Sequence, residues 1–256
     1  MGYRRYRPGS VQRELRRRKR SKGYKLAWAA LLLVVAMALF VLYSPYFAVE
    51  TIEVQGIQML SQKELLEEAG LFPGMNLLQV RPSLISSRLL SNPWVEEVTV
   101  QRGLPGYVLV LVQEREPVVL VPNGSSFLCL DREARVLDTW TVAKVSLPFL
   151  TGFRVPARTF PGQVLEDTTL RLVLAALASL SKSTLGMISE VHLDNESSIT
   201  VYTLNGVPVY LGQAFDSLPE KFQVLDSILK DIRDKDTEVE YVDLHLPHRP
   251  VVKERR

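Results

Sequence analysis

The best candidates for catalytic residues in this chain are four acids, Glu114, Glu116, Asp131 and Glu133. Paired carboxylates hydrolyse glycosidic bonds when one acts as a general acid and the other as a base or nucleophile. Glu114 and Glu116 flank Arg115, however, and this order favours solvated or ion-paired carboxylates. Asp131 and Glu133 fall at a predicted turn, where aspartate is common for conformational reasons alone. An exported enzyme that cleaves peptidoglycan is therefore an alternative interpretation, and it is disfavoured.

The three histidines and the single cysteine form no catalytic or metal-binding pattern. His245 and His248 flank a proline near the end of the chain, His192 lies in a strand-like segment, and none has the i, i+4 spacing of a zinc-binding helix. Cys129 lies in a strand-like apolar run, which predicts a small buried side chain, and a single cysteine forms no intrachain disulfide. Serine-nucleophile motifs and glycine-rich phosphate loops are also absent from the sequence. We therefore expect no cofactor, no metal and no catalytic residue.

The N-terminal region predicts a membrane anchor. Residues 1–25 hold 11 Lys or Arg and one acid, and Leu26–Tyr43 is a run of 18 residues without a charge, Gly or Pro. As a helix this run would be about 27 Å long, close to the thickness of a bilayer's hydrocarbon core. We predict an uncleaved transmembrane helix at 26–45, with the basic arm in the cytoplasm and the remaining residues exported.

Two alternatives for this region are less well supported. A cleaved signal peptide would have a shorter basic region and a small-x-small cleavage site after the apolar run, whereas this run is followed by Ser44-Pro45-Tyr46-Phe47. Binding of the basic arm to nucleic acid is the second alternative. Membrane topology and contact with anionic lipid account for the same charges.

Residues 46–114 predict a small domain with the order strand, helix, helix, strand, strand. Val49–Gln55 alternates apolar and polar residues, as a half-buried strand does. A capping box at Ser61–Glu64 begins the first helix, and Pro82 begins the second. The strands Val95–Gln101 and Tyr107–Gln113 are separated by a Gly-Pro turn, which favours an antiparallel hairpin. We expect one mixed sheet with two helices on one face.

Residues 115–247 predict a second domain that is richer in strands. Asn123-Gly124 and Asn205-Gly206 are hairpin signals between apolar runs. Asp167–Ser181 has the apolar stripe of an amphipathic helix. Ser217–Glu220 reads as a capping box that begins a helix extending to Asp234. The whole chain is therefore expected to be an α+β protein behind one transmembrane helix.

The last predicted strand, Glu238–Leu246, is the candidate interaction site. It is apolar on one face, and the residues after it, 248–256, read as a short flexible basic tail that cannot cover it. An exposed strand edge can accept a strand from a partner through main-chain hydrogen bonds. The sequence thus favours an interaction scaffold over an enzyme.

The order of these elements resembles that of the FtsQ/DivIB family of bacterial cell-division proteins. The motifs that carry the resemblance run from Tyr46 to about Val251, and they are Phe47–Gly56, Asn92–Val95, Val112–Val118, Leu147–Gly152, Val209–Gly212, Lys221 and Tyr241–Leu244. Two positions depart from the family pattern. His245 stands where the family often has Arg, and Arg132–Arg135 lacks the Gly usual in that turn.

The resemblance implies a POTRA domain at 46–114 and the family's β domain at 115–247. It implies a non-catalytic divisome scaffold in the cell inner or plasma membrane at the septum, of single-pass type II, with its C-terminus periplasmic or extracellular. This scaffold would link early and late septal proteins. The implied partners are FtsB/DivIC-like and FtsL-like single-pass coiled-coil proteins and, through them, the septal peptidoglycan synthase.

The resemblance also implies where partners bind. The expected partner-binding residues are Tyr241, Val242, Asp243, Leu244, His245 and Leu246, and the expected domain-junction residues are Glu114, Arg115 and Pro117. A POTRA-type chaperone or secretion component is a further alternative function. Such proteins usually carry several POTRA copies or a β-barrel, and this sequence has neither.

Overall fold

The structure is a computed structural model that describes residues 10–194, 196–235 and 237–255. Side chains are described for these residues except 10–23, 41–43 and 45. The first helix, α1, is Ser10–Tyr43, and every residue from Tyr24 to Phe40 is exposed. No helix within the described part of the chain is both long and apolar enough to cross a membrane. The predicted arm and span, 1–25 and 26–45, include residues 1–23, 41–43 and 45, which lie outside the fully described residues.

The chain divides into two compact units. One unit contains the described residues up to Gln55, Lys63–Ser86 and Thr99–Leu111. The other contains Gly56–Gln62, Ser87–Val98 and the chain from Val112 onward. Both units mix helices with strands, as the sequence predicts for an α+β protein.

The N-terminal sheet has three strands in the order β1-β3-β2. They are β1 (Thr51–Gln55), β2 (Val95–Gly103) and β3 (Tyr107–Glu114), with the helices α2 (Gln62–Ala69) and α3 (Pro82–Leu89) between β1 and β2. β1 runs parallel to β3, and β2 and β3 are neighbours in sheet and sequence. The predicted order of strand, helix, helix, strand, strand is confirmed.

Periodicity explains which residues of this region are buried. On β3, Val108 and Val110 are buried while their neighbours are partly exposed, which is the two-residue period of a strand. On α2, Leu65 and Ala69 are buried four residues apart, which is one face of a helix. Arg102 Nη1 donates to the Val80 carbonyl at 3.0 Å and satisfies a loop acceptor.

The C-terminal sheet has nine strands in the order β12-β11-β10-β9-β8-β7-β4-β5-β6. Its strands are β4 (Pro117–Asn123), β5 (Ser126–Asp131), β6 (Val136–Trp140), β7 (Phe149–Thr151), β8 (Ile188–Leu193), β9 (Ser198–Thr203), β10 (Pro208–Gln213), β11 (Val239–Asp243) and β12 (Val251–Glu254). The helices α4 (Thr168–Ala178) and α5 (Lys182–Leu185) precede β8, and α6 (Leu218–Lys235) precedes β11.

This sheet contains both antiparallel hairpins and parallel strand pairs. The predicted hairpins at Asn123-Gly124 and Asn205-Gly206 are confirmed, because β4 pairs with β5 and β9 with β10, both antiparallel. β7 is parallel to both β4 and β8. β10 is parallel to β11, with α6 as the connection between them. This parallel pair brings the carboxyl ends of β10 and β11 to the same end of the sheet.

The main core lies where α4 and α6 pack against the sheet. The buried side chains of α4 include Leu170, Val173, Leu174 and Leu177, and those of α6 include Phe222, Leu225 and Leu229. Spacings of three and four residues place each set on one helical face. Each buried Leu or Phe side chain contributes about 1.5–3 kcal/mol relative to exposure. The predicted helix at Asp167–Ser181 is shorter than expected, since Asp167 caps it by accepting from the Leu170 amide and Ser179 ends it.

A second apolar cluster contains Trp94, Leu120, Cys129, Leu137 and Trp140. The Trp94 and Trp140 rings stack with centroids 6.2 Å apart. Cys129 is fully buried, and this burial, followed by the charges of Asp138 and Asp131, raises the pKa of its thiol to about 12. The predicted role of Cys129 as a buried apolar residue is confirmed.

Candidate functional site

At one edge of the C-terminal sheet, β11 is followed by β12, a strand that was not predicted from the sequence. β12 pairs antiparallel with β11, with Tyr241 opposite Lys253 and Asp243 opposite Val251. The prediction that β11 has an open edge is therefore wrong, and so is the prediction of a flexible tail at Val251–Glu254. The chain returns through a turn in which the Arg249 amide donates to the Leu246 carbonyl at 3.0 Å. The open edge of the sheet belongs to β12.

All four residues of β12 are exposed. The strand is held by main-chain pairing and by one side chain, since Lys253 Nζ lies 3.0 Å from Glu240 Oε2 and 5.4 Å from the centre of the Tyr241 ring. The hydrogen bond from Lys253 to Glu240 raises the pKa of Lys253 above its ordinary value. β12 is thus a short strand attached along one side only.

The hydrogen bond made just after β12 shows which main-chain amides of this strand face outward. The Arg255 amide donates inward to the Glu238 carbonyl at 2.9 Å. Because successive amides of an extended strand point in opposite directions, the amides of Val252 and Glu254 point outward. These donors, with the carbonyl groups between them, form the unpaired main-chain edge that a further strand would need.

The six residues predicted to bind a partner divide into two groups. Val242 and Leu244 are fully buried in the main core, so their side chains are not available to a partner. Tyr241 and Asp243 are partly exposed on the opposite face, and Tyr241 packs beside Tyr210 with ring centroids 6.2 Å apart. His245 and Leu246 are exposed beyond the end of β11.

His245 is held by its neighbours on two strands. Asp243 Oδ1 accepts from the His245 amide at 3.0 Å and lies 2.7 Å from the ring Nδ1. These two hydrogen bonds, the backbone one first, lower the pKa of Asp243. On β10, the imidazole occupies the space next to Gly212, where the Cβ of any other residue would lie only 2.7 Å from the ring carbon Cδ2.

A groove lies between α6 and β12. Its cavity volume is about 550 Å³, and its apolar lining includes Val224, Ile228, Ile232 and Val252. Asp231, Lys235 and Glu254 also line the groove and give it charged groups of both signs. Sequence reasoning missed this groove because it missed β12, although the pair Val251-Val252 after Pro250 was a weak strand signal.

The carboxylates first considered for catalysis are engaged in structural contacts. Glu114 accepts from the amides of Gln58, Met59 and Leu60 at 2.9, 2.8 and 2.9 Å. Such a carboxylate acts as a cap for three main-chain donors. Lys182 Nζ lies 3.0 Å from Glu116 Oε1 at the surface.

Arg115 forms ion pairs with the other two candidate acids, Asp131 and Glu133. Its Nη1 atom donates to Asp131 Oδ2 at 2.9 Å and to Glu133 Oε2 at 2.8 Å. Burial lowers the pKa of the guanidinium, but the hydrogen bonds of Glu133 and Asp131 outweigh it and raise the pKa overall. Pro117, the third predicted junction residue, begins β4 opposite Asp131. This arrangement leaves neither acid free to act as a general acid or base.

The histidines form no metal site in the described part of the chain, where no group of three His, Cys, Asp or Glu residues is placed to hold an ion. His192 Nδ1 lies 2.8 Å from Thr151 Oγ1, which also donates to Glu190. His248 Nε2 lies 3.9 Å from Glu220. Each histidine contact is thus a surface contact between neighbouring elements.

Two family models match the chain in sequence. The model described as POTRA domain, FtsQ-type, matches residues 47–115. The model described as cell division protein FtsQ/DivIB, C-terminal, matches residues 119–245. Together the matches take in the N-terminal sheet and the C-terminal sheet as far as β11.

Curated relatives agree with these matches. Cell division protein FtsQ of Geotalea daltonii is 30% identical over 238 residues, which are 88% of this chain and 84% of that protein. FtsQ of Syntrophotalea carbinolica is 28% identical over 242 residues, 89% of this chain and 83% of that protein. FtsQ of Geobacter sp. (strain M21) is 29% identical over 208 residues, 80% of this chain and 75% of that protein.

One solved structure is also similar. It is the major extracytoplasmic domain of the trans isomer of the bacterial cell division protein DivIB from Geobacillus stearothermophilus. The match has 19% identity and a TM-score of 0.36, and it covers 48% of this chain and 96% of that chain.

Proposed function

Because the chain belongs to the FtsQ/DivIB family of cell division proteins, with a POTRA domain and the family's C-terminal domain, we propose that it is a non-catalytic divisome scaffold. Its proposed role is to link early and late septal proteins and so to help control septal peptidoglycan synthesis. Its proposed partners are FtsB/DivIC-like and FtsL-like single-pass coiled-coil proteins and, through them, the septal peptidoglycan synthase.

The observation that carries the proposal is the unpaired edge of β12. A partner segment can extend the nine-stranded sheet by pairing with the outward amides of Val252 and Glu254. This placement moves the binding edge one strand beyond the predicted one. Tyr241 and Asp243 then lie one strand behind the edge, and His245 and Leu246 lie in the connection between β11 and β12.

The groove beside β12 supports the same binding mode. An added strand would direct alternate side chains toward α6, because the side chains of a strand alternate between the two faces of a sheet. Val252 on β12 already lines the groove together with Ile228 of α6. An apolar side chain of the partner would therefore be buried there, while main-chain hydrogen bonds hold the strand.

The absence of catalysis is part of the proposal. Glu114 caps main-chain amides, and Asp131 and Glu133 are bound to Arg115. A catalytic acid or base must be able to exchange a proton with a substrate, and these contacts oppose that exchange.

We further propose that the N-terminal region anchors the scaffold in the cell inner or plasma membrane at the septum. The uncharged run Leu26–Tyr43 and the basic arm before it support a single-pass type II topology. The exposure of every side chain from Tyr24 to Phe40 leaves this apolar surface without a protein partner in the described chain. Tethering near a membrane also raises the effective concentration of membrane-bound partners.

Proline substitution at the outward amides tests the site. Val252→Pro and Glu254→Pro each remove one donor of the open edge, while a proline whose missing amide faces outward is tolerated by an edge strand. The full chain would be crosslinked and affinity-isolated from dividing cells, and its partners identified by mass spectrometry. We expect FtsB/DivIC-type and FtsL-type proteins with the wild type and a loss of about tenfold or more with either proline.

Two substitutions serve as controls because they change the same side chains and keep the amides. Val252→Thr and Glu254→Gln are expected to retain partner recovery. Circular dichroism of each purified variant checks that the sheet remains folded. Recovery of these partners by both proline variants at the wild-type level would refute the site, and their absence from the wild-type sample would refute the function.

A further inference from the structure

The loop after α2 lies beside the segment that follows α1. Phe47 is four residues beyond Tyr43, the last residue of α1, and four residues of extended chain span at most about 14 Å. The Phe47 carbonyl accepts from the Leu77 amide at 2.7 Å, and the Val49 amide donates to the Met75 carbonyl at 2.8 Å. The loop is therefore hydrogen-bonded to the first residues after α1.

The turn between β2 and β3 lies at the same end of the N-terminal sheet. Because β1 is parallel to β3, the two strands begin at one end of the sheet, and the turn after β2 leads directly into β3. The Gly106 carbonyl accepts from the Glu50 amide at 2.8 Å, and a Cβ on Gly106 would lie 2.3 Å from the Ala48 carbonyl oxygen. This end of the sheet thus carries three segments, which are residues 44–49, 70–80 and 103–106.

The three segments expose large apolar side chains and contain no charge. None of their residues is Asp, Glu, Lys or Arg. Tyr46 is 65% exposed, Phe72 59%, Leu78 47% and Leu104 68%. A single exposed apolar side chain is ordinary, but four of them on adjoining uncharged segments mark an interaction surface. These four residues are called the apolar patch below.

Two arginines flank the segments that carry the apolar patch. Arg81 directly follows the loop, Arg102 directly precedes the turn, and both are exposed. Arg102 Nη1 donates to the Val80 carbonyl at 3.0 Å, so its guanidinium lies at the end of the loop. Among the residues that directly flank the three segments, Glu50 is the single acid. Aromatic and apolar side chains next to cations are typical of protein surfaces that lie in the headgroup layer of a bilayer.

We propose that the apolar patch enters the headgroup layer of the bilayer that α1 spans, with Arg81 and Arg102 on lipid phosphates. This inference rests on the proposed anchor, because a membrane-spanning α1 is what brings the patch to a bilayer surface. The headgroup layer is about 5–8 Å thick on each side of the hydrocarbon core, and the short connection after Tyr43 allows the patch to reach it. Guanidinium groups bind phosphate through paired hydrogen bonds. The membrane then holds the N-terminal unit at a fixed height and not on a free tether.

Photocrosslinking from lipid to the full chain tests this placement. The chain is reconstituted at low density, without partners, in vesicles of phosphatidylethanolamine and phosphatidylglycerol. These vesicles contain a phospholipid with a diazirine at the top of one acyl chain, and mass spectrometry of peptide fragments locates the insertions. We expect insertion at Phe72, Leu78 and Leu104 to exceed that at Gln55 about tenfold, because an acyl chain rarely leaves the bilayer. Gln55 is the control because it is exposed at the other end of β1.

Paired substitutions test whether the patch acts as a unit. Phe72→Asp combined with Leu78→Asp should lower insertion at Leu104 to the level at Gln55, since carboxylates oppose entry into the headgroup layer. Phe72→Leu combined with Leu78→Met keeps the apolar surface and should keep insertion at Leu104. Circular dichroism checks that each variant is folded. Unchanged insertion at Leu104 in the aspartate variant would overturn the inference.

A second lipid probe separates this inference from the proposed anchor. A phospholipid with its diazirine at the end of the acyl chain should label α1 around Val35, which is exposed and lies within the uncharged run. Labelling of Val35 without labelling of the apolar patch would overturn the inference and leave the anchor in place. Absence of labelling at both would overturn the anchor and the inference together.

Discussion

Arg115 and Asp131 form a largely buried ion pair, in which the guanidinium donates at 2.9 Å to a carboxylate that is 2% exposed. The other oxygen of Asp131 accepts from the amides of Glu133 and Arg135 at 2.9 and 2.8 Å. Asp131 therefore fixes the turn between β5 and β6, and Arg115 compensates its charge. Asp131, which the sequence suggested as a catalytic carboxylate, therefore has a structural role.

Replacing Arg115 by methionine should lower the free energy of unfolding by about 3–5 kcal/mol, because the Asp131 charge would stay buried without its partner. Urea denaturation of the full chain in detergent, followed by tryptophan fluorescence, measures this loss. Arg132→Met is the control, since Arg132 is 59% exposed in its contact with Glu96. We expect that control to change stability by less than about 1 kcal/mol. Equal effects of the two substitutions would contradict the prediction.

Asp226 should contribute stability that is lost in strong acid. Burial opposes its ionisation, but hydrogen bonds from Lys230, Thr184 and Ser181 outweigh this and lower its pKa to about 2. The ionised form thus stabilises the fold above the ordinary pKa of 3.8, and this contribution disappears as pH falls through about 2.

Asp226→Asn should therefore cost on the order of 1–2 kcal/mol at neutral pH and nothing below pH ~2. Urea denaturation across this pH range measures the difference between variant and wild type. Asp231→Asn is the control, because Asp231 and Lys235 form an exposed pair one turn further along α6. A difference that stays constant down to pH ~2 would contradict the assignment.

Lys221 should be required for the junction between α6 and β10. Its side chain is 1% exposed and its Nζ donates to the Leu211 carbonyl at 2.8 Å. Lys221→Met retains most of the side-chain volume but leaves that carbonyl without its donor, so we expect a loss of about 1–3 kcal/mol. Thermal denaturation compares it with Lys235→Met, at a position that is 66% exposed. Similar melting temperatures for the two variants would argue against this role.

The proposed anchor predicts how the protein fractionates. The full chain should sediment with membranes and resist extraction by alkaline carbonate, because Leu26–Tyr43 would lie in the hydrocarbon core. A variant lacking residues 26–45 should lose this resistance. Protease added to the outside of intact spheroplasts should digest the region after Tyr46 and spare the basic arm. Complete release of the full chain by carbonate would refute the anchor.

Local signals in the sequence predicted most of the elements. Asn205-Gly206 lies in the hairpin between β9 and β10, where Gly206 has a φ of 76°, a conformation that few other residues adopt. The helix after Ser217 was also predicted, but its capping box is not formed. Ser217 has a φ of 51°, outside the extended region of an N-cap residue, and its carbonyl accepts from the Lys221 amide. Here the tight connection from β10 to α6 overrides the local preference.

The candidate site was harder to predict because it depends on long-range pairing. β12 has only four residues and no alternating pattern, and it exists because β11 offers it an edge. The register shift between Val239 and Tyr241 changes which residues of β11 face the core. Val242 is buried and Tyr241 is partly exposed. Both side chains are apolar and adjacent, so the sequence alone does not show which of the two faces the core. Such shifts are set by tertiary packing.

The burial of Cys129 has a practical consequence for studying these surfaces. A thiol that is fully enclosed and rarely ionised reacts slowly with alkylating reagents and spin labels. The native chain should therefore react very little with thiol reagents. A cysteine introduced at exposed Val251 or Phe215 would be the reactive thiol. Labels at these two positions can then report on this end of the sheet in the assembled protein, without first removing a native residue.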